Sequence, residues 1–250
     1  VSTTIGRGLG VVYLLWNFHR ADGSLAVRWP DLRPVREVIA SIVKVSVGAV
    51  SQFLIASLSW VFLVRIVADF GTDAVGGYGV AVRIIIVALL PAWGMANAAA
   101  TLVGQNLGAG QPERAARSAW LCGHYNMVYM VLVTAFFWMA SPYIVSFFGQ
   151  GAVADGHAIL ALRVISLGYF FYGYGMVLAQ ALNGAGDSVT PTWLNVLCFW
   201  AIEIPLAYVL ALTVGMGPLG VFTSVAISES ILAVLCAIAF QRGKWKLMKV

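Results

Sequence analysis

Charged residues are scarce in this sequence. Of its 250 residues, 15 are Lys or Arg and 10 are Asp or Glu, so 10% are charged while 61% are hydrophobic. Soluble domains carry about 25% charged residues, and a soluble core of this size cannot bury so much apolar surface. The composition therefore excludes an ordinary soluble domain and predicts an integral membrane protein.

Cysteine and histidine are also scarce, with three residues of each. Cys122, Cys198 and Cys236 lie inside apolar runs without Cys-x-x-Cys spacing, and the histidines show no paired metal spacing. We therefore expect no disulfide framework and no metal site. No nucleophile motif or carboxylate pair with a general base is readable, so we expect no catalytic residues and no enzyme. The basic residues form no single stripe, which argues against a nucleic-acid partner.

Long apolar runs are what the sequence has in abundance. Six are long enough to cross a bilayer as helices, which satisfy their own backbone hydrogen bonds there. A shorter run from Gly8 to Phe18 lacks a small-residue cleavage site, so residues 1–20 are predicted to end a preceding transmembrane helix. Pro91 and Pro205 are the expected kink points. The six runs occupy residues 38–66, 74–107, 114–140, 158–184, 190–213 and 219–240.

The predicted fold class is thus an all-α membrane protein whose six-transmembrane-helix bundle occupies residues 36–243. Lys and Arg are concentrated before the first span, after the second and after the sixth. Because cytoplasmic loops hold the positive excess, residues 21–35 are predicted to be a cytoplasmic basic linker and residues 244–250 a cytoplasmic tail. The connections at 68–76, 148–157 and 214–218 contain no Lys or Arg, and we expect them outside.

Two glycine-rich stretches, residues 104–114 after the second span and residues 182–191 after the fourth, together resemble the multidrug and toxic compound extrusion (MATE) transporters. Residues 182–191, followed by Ile204 to Tyr208, are similar to that family's stretch between its tenth and eleventh helices. The resemblance covers roughly residues 36 to 240 and only the second half of such a transporter. The first stretch is similar to the family's helix-exit signature and contains Gly104, Gln105, Asn106, Gly108 and Gly110.

The resemblance implies the carboxy-terminal lobe of a twelve-helix secondary transporter in the inner (plasma) membrane. Such a cation-coupled antiporter exports organic cations, drugs or amphipathic metabolites by alternating access between its two lobes. The implied partners are the lipid bilayer, small organic cations and the amino-terminal lobe. No cofactor is implied, and sodium or a proton serves as coupling ion. Two alternatives stay open: a lipid-linked oligosaccharide flippase of the same superfamily, and a non-transporting scaffold or receptor half.

The first glycine stretch has a structural and a ligand-binding interpretation. It lacks the Gly-Lys-Ser/Thr of a phosphate-binding loop and follows no strand. Gly104 and Gly108 have the spacing that lets helices approach closely, and Pro112 suits the first turn of the next helix. We favour a structural hinge.

Candidate cavity residues lie on the fourth span, where one helix face carries aromatic, thioether and amide groups. Such a wall suits flat or cationic molecules, although an aromatic stripe is also common in helix packing. In the first span, Gln52 is a further cavity candidate. Its amide group is equally suited to a hydrogen bond between helices. The face comprises Tyr169, Tyr172, Met176, Gln180 and Asn183.

Ionisable residues at membrane depth are candidates for ion coupling, because a charge there is costly. Glu203 either loads and releases an ion or pairs with Arg83 as a structural element, whereas Glu229 and Arg83 are expected to serve packing. Some MATE members carry cation-binding carboxylates at positions that fall near Ala56 and Tyr172 here. Neither residue has a carboxyl group, so we do not expect that cation site in this chain. The coupling residue is therefore predicted to be Glu203 or to lie in the amino-terminal half.

Overall fold

The computed structural model describes residues 2–20, 34–149 and 151–248, and within them the chain is helical without a strand. Nearly all of the predicted linker at 21–35 lies outside these residues. The helices are α1 (Ser2–Arg20), α2 (Arg36–Ala68), α3 (Thr72–Gly108), α4 (Pro112–Ser146), α5 (Ala152–Ser166), α6 (Tyr169–Gly184), α7 (Val189–Thr213) and α8 (Pro218–Gln241).

The chain divides into two units, Val1–Lys44 and Val45–Val250, with the border inside α2. The first unit contains α1, which is apolar from Ile5 to Trp16 and shorter than a full span. The second contains the rest of α2 and helices α3 to α8. In this second unit α3, α4 and α6 pack on one another, and α8 packs on α5, α6 and α7.

The predicted helical membrane fold is confirmed, with five single spans and a sixth only if one bent pair of helices counts as a span. Ser46–Ala68, α3, α4, α7 and α8 are each long and apolar enough to cross a membrane. Helices α5 and α6 pass the same test only as a pair, and they meet at an angle of 62°. The fourth predicted run is therefore a broken helix.

This sharpest bend contains no proline. The Leu167 and Gly168 amides donate to carbonyls three residues back, which ends α5. Gly168 then packs so close to α8 that a Cβ on it would lie 2.8 Å from the Ala226 carbonyl oxygen. Pro91, an expected kink point, lies instead inside the unbroken helix α3.

Around Pro205 the fifth span departs from α-helical geometry on both sides. Val196–Glu203 and Val209–Thr213 are π-helical, and a short α-helical piece containing Pro205 separates them. Proline donates no backbone hydrogen bond, and π turns in membrane helices are frequent at functional positions. The first of these two π-helical stretches ends at Glu203.

A short turn that follows α8 packs against the helices. Lys244–Leu247 form a 3₁₀ turn in which Trp245 is 1% exposed. Its ring stacks on Phe240 with centroids 4.5 Å apart, and its Nε1 donates to the Phe240 carbonyl at 2.8 Å. Lys246 Nζ lies 2.8 Å from Glu113 Oε1 on α4. Residues 244–247 of the predicted tail therefore pack against one end of this helical unit.

Candidate functional site

Glu203 is buried where α7 meets α2. Its side chain is 2% exposed, and its Oε2 accepts a hydrogen bond from Ser59 Oγ at 2.8 Å. Trp200, one turn earlier, donates from Nε1 to the Ile55 carbonyl at 3.1 Å. These two contacts hold α2 against α7 beside the carboxyl group.

A second carboxyl group, that of Glu229, lies on the neighbouring helix α8. Its Oε2 is buried and has no hydrogen-bond partner. The flanking hydroxyls do not reach it, because Ser228 donates to Val225 and Ser230 donates to Ala226 within α8.

Neither carboxyl group has a basic partner. Throughout the described part of the chain, the ion pairs are Arg65–Asp69 and Lys246–Glu113. Arg83 is exposed on α3, so the predicted alternative in which it pairs with Glu203 is not formed. A buried carboxylate without a counter-charge is strongly unfavourable, so these two groups require a proton or a cation.

Glu229 lines a small cavity inside the second unit. The cavity has a volume of about 50 Å³ and a wall of aromatic rings. The bend at Gly168 places the start of α6 against it. Its polar and aromatic lining consists of Trp60, Tyr78, Tyr169, Tyr172 and Glu229.

The predicted substrate face of α6 therefore divides into two parts. Tyr169 and Tyr172 line the cavity, whereas Met176 packs among buried hydrophobic side chains. Gln180 accepts a hydrogen bond from Asn183 at 3.1 Å, and Asn183 in turn bonds with Gln52. The amides thus join α2 to α6, and they do not line the aromatic cavity.

The two glycine stretches form matching helix ends. The Gln111 amide donates to the Asn106 carbonyl and the Asp187 amide to the Leu182 carbonyl, each five residues back. This pattern with a left-handed glycine is the Schellman helix end. Gly110 and Gly186 supply the left-handed residues, with φ of 70° and 84°.

The first stretch also contributes a contact between helices. A Cβ on Gly104 would lie 3.0 Å from the Gly184 carbonyl oxygen, whereas Gly108 has nothing within 4 Å. Gln105 is exposed, and Asn106 Nδ2 donates to the Leu102 carbonyl within its own helix. These placements favour a structural interpretation, in which Gly104 and Gly110, but not Gly108, fix the geometry.

Three residues at the site escaped the sequence reasoning: Trp60, Tyr78 and Ser59. Trp60 and Tyr78 have ordinary positions in apolar helices, and nothing in the local pattern separates them from packing residues. Their roles come from contacts between distant parts of the chain. The one local signal was the carboxyl group of Glu229 in a span of mean hydropathy 2.1.

Comparisons with known proteins agree with this fold. The MatE family profile matches residues 49–209. The probable multidrug resistance protein YpnP of Bacillus subtilis is 26% identical over 253 residues, covering 100% of this chain and 55% of YpnP. The probable multidrug resistance protein YoeA of the same species is 23% identical, with 94% and 50% covered.

Solved structures give the same result. An outward-facing conformation of a multidrug resistance MATE family transporter of the MOP superfamily matches with a TM-score of 0.83 at 22% identity. That match covers 96% of this chain and 53% of the transporter, and it is a likeness of fold. The chain spans about half the length of the curated relatives it matches.

Proposed function

The chain belongs to the MatE family, and from that premise we propose that it is the carboxy-terminal lobe of a secondary transporter. The complete transporter would export organic cations and amphipathic molecules by alternating access, coupled to the entry of sodium or protons. The matched relatives are named as multidrug resistance proteins. Five or six apolar spans, with carboxyl groups buried among them, support the same role.

The observation that carries the coupling proposal is the environment of Glu203. The carboxyl group is buried within a span, at the last residue of a π-helical stretch, with a serine hydroxyl as its hydrogen-bond partner. A group in this position changes its charge only by taking up or releasing a proton or a cation. Such exchange is what ion-driven transport requires.

A flippase for lipid-linked oligosaccharides is less well supported. A pyrophosphate headgroup needs basic side chains or amide donors around it. The described cavity is lined by aromatic rings and one carboxyl group. These groups favour a cationic ligand over an anionic one.

The test uses the full-length transporter, this lobe joined to its amino-terminal lobe, in proteoliposomes loaded with ethidium. An imposed sodium or proton gradient should drive ethidium movement in the wild type. Glu203→Gln keeps size and hydrogen bonding but removes the ionisable group, so it should abolish gradient-driven movement while ethidium binding is retained. The matched control is Glu113→Gln at the exposed Glu113, which should transport normally.

Two results would contradict the proposal. Gradient-driven movement at the wild-type rate in Glu203→Gln would make Glu203 structural and place coupling in the amino-terminal half. Absence of gradient-driven ethidium movement in the wild type under both gradients would remove the transport proposal itself and favour a scaffold or receptor.

A further inference from the structure

A second cavity of the second unit lies at the break between α5 and α6. It has a volume of about 310 Å³ and shares no lining residue with the aromatic cavity. Most of the large side chains around it are exposed, so the cavity opens on the outer surface of the unit. Helix α4 and the break supply its lining, which consists of Val131, Thr134, Ala135, Trp138, Ser166, Leu167 and Phe170.

The two hydroxyl groups in this lining are already bonded within the protein. Thr134 Oγ1 donates to the Met130 and Ser166 carbonyls, both at 2.9 Å. Ser166 Oγ donates to the Arg163 carbonyl at 3.0 Å. The cavity therefore suits a hydrocarbon chain, because the burial of apolar surface is the main gain that it offers an occupant.

Arg163 lies beside the cavity without a counter-charge. Its guanidinium carbon is 6.0 Å from the centroid of the Trp138 ring. Its Nη2 donates at 3.2 Å to the Trp138 carbonyl, which Pro142 leaves without a helical donor. Its Nε is buried without a hydrogen-bond partner, and among the described residues Arg163 forms no ion pair. The carbonyl contact accounts for the position of the guanidinium group but leaves its positive charge uncompensated.

An uncompensated arginine in an apolar surface favours an anionic ligand. Charged side chains at membrane depth are costly, and local thinning of the bilayer brings headgroups and water to them. Arginine binds phosphate through parallel hydrogen bonds, and the guanidinium group of Arg163 has further N–H donors beyond the one that Trp138 uses. A space for a hydrocarbon chain next to a phosphate-binding group matches the two parts of a phospholipid.

We propose that this cavity binds an anionic phospholipid, with part of an acyl chain in the space at the break and the headgroup phosphate paired with Arg163. Phosphatidylcholine also has a phosphate, but its own ammonium group competes with Arg163 for that phosphate. A lipid of net negative charge is therefore preferred. The inference does not depend on the proposed transport function.

The experiment uses the full-length transporter in phosphatidylcholine vesicles that contain a rising fraction of a lipid with brominated acyl chains. Bromine quenches tryptophan fluorescence on contact, and Trp138 lines the cavity. The fluorescence of Trp138 is the difference between the wild type and Trp138→Phe. Brominated phosphatidylglycerol should quench it at about a fivefold lower membrane fraction than brominated phosphatidylcholine. Equal quenching by the two lipids would overturn the proposal.

Variants then assign the preference to the charge and to the cavity. Arg163→Gln removes the charge but keeps an amide donor for the Trp138 carbonyl, and Ala135→Leu fills part of the cavity. Each should make the two lipids quench at equal fractions. The matched control is Arg83→Gln at the exposed Arg83 of α3, which should keep the preference. A preference retained in either test variant would overturn the proposal, and Ala135→Leu decides the matter if Arg163→Gln does not fold.

Two further outcomes would identify other occupants. Trp138 fluorescence that neither brominated lipid quenches would show that protein covers the cavity, either a second copy or the amino-terminal lobe, and would overturn the proposal. Loss of the preference on adding inorganic phosphate, but not on adding chloride at the same ionic strength, would identify a site for free anions. That result would also overturn the proposal.

Discussion

Gln52 and Asn183 hold each other through reciprocal amide hydrogen bonds. Gln52 Nε2 donates to Asn183 Oδ1 at 3.0 Å, and Asn183 Nδ2 donates to Gln52 Oε1 at 3.2 Å. Gln52 also donates to the Ser188 carbonyl at 3.3 Å. Two residues 131 positions apart therefore tie α2 to α6 and to the beginning of α7.

Replacing Gln52 with alanine should lower stability, because the Asn183 side-chain amide loses one hydrogen bond at its oxygen and one at its nitrogen. Hydrogen bonds between membrane helices are worth about 0.6 kcal/mol on average and about 1.7 kcal/mol at most. We expect a small decrease in the detergent melting temperature, with substrate selectivity unchanged. If the variant has wild-type stability but altered substrate selectivity, Gln52 contacts the substrate, as the sequence predicted.

Gly184→Ala should be strongly destabilising. The added Cβ would collide with the carbonyl of Ala100 on α3, which is backbone and cannot rotate away. Overpacking of this kind costs about 1–3 kcal/mol. The control is Gly94→Ala, whose Cβ would meet nothing within 4 Å, and which should be neutral or stabilising. Equal melting temperatures for the two variants would show that the contact is not tight.

Trp245→Ala should lower the melting temperature more than any nearby surface change. A large buried aromatic replaced by alanine costs about 3–5 kcal/mol, since transfer and cavity terms add. The comparison is Leu247→Ala, because Leu247 is 87% exposed. If the two variants have the same melting temperature, burial of the Trp245 ring does not stabilise the protein.

The predicted orientation can be tested by labelling single cysteines in a variant with alanine at the three native cysteines, which are free and buried. Gly71 and Gly149 have left-handed φ of 99° and 55°, so cysteine is better placed at exposed Thr72 and Val153. Both should react with an impermeant thiol reagent from outside. Cysteine at Gln111 should react only after permeabilisation, and the reverse pattern would invert the topology.

Hydropathy and glycine patterns predicted the spans and both helix ends because these depend on local sequence. A helix must be apolar wherever lipid surrounds it, and Gly110 and Gly186 are needed where φ is positive. The bend at Gly168 was not predicted, because it depends on how near α8 comes to that residue. A glycine in a span is compatible with either a straight or a broken helix.

The site was only partly predictable for the same reason. A carboxyl group inside an apolar run is visible in the sequence, so Glu203 and Glu229 could be named. Whether each is paired depends on residues far away in the chain, and Ser59 lies 144 positions from Glu203. The interpretation of Glu229 as a packing residue weakened once its oxygen proved to be unpaired at an aromatic cavity.

The contact between α3 and α6 at Gly184 has a mechanical consequence. Backbone touches backbone there without room for a methyl group, so neither helix can slide along the other without collision. The parts of these two helices that meet at Gly184 must therefore move together. The same lack of room recurs where Gly168 meets Ala226 and where Gly220 meets Ala211, so α8 is held in the same way against the start of α6 and the end of α7.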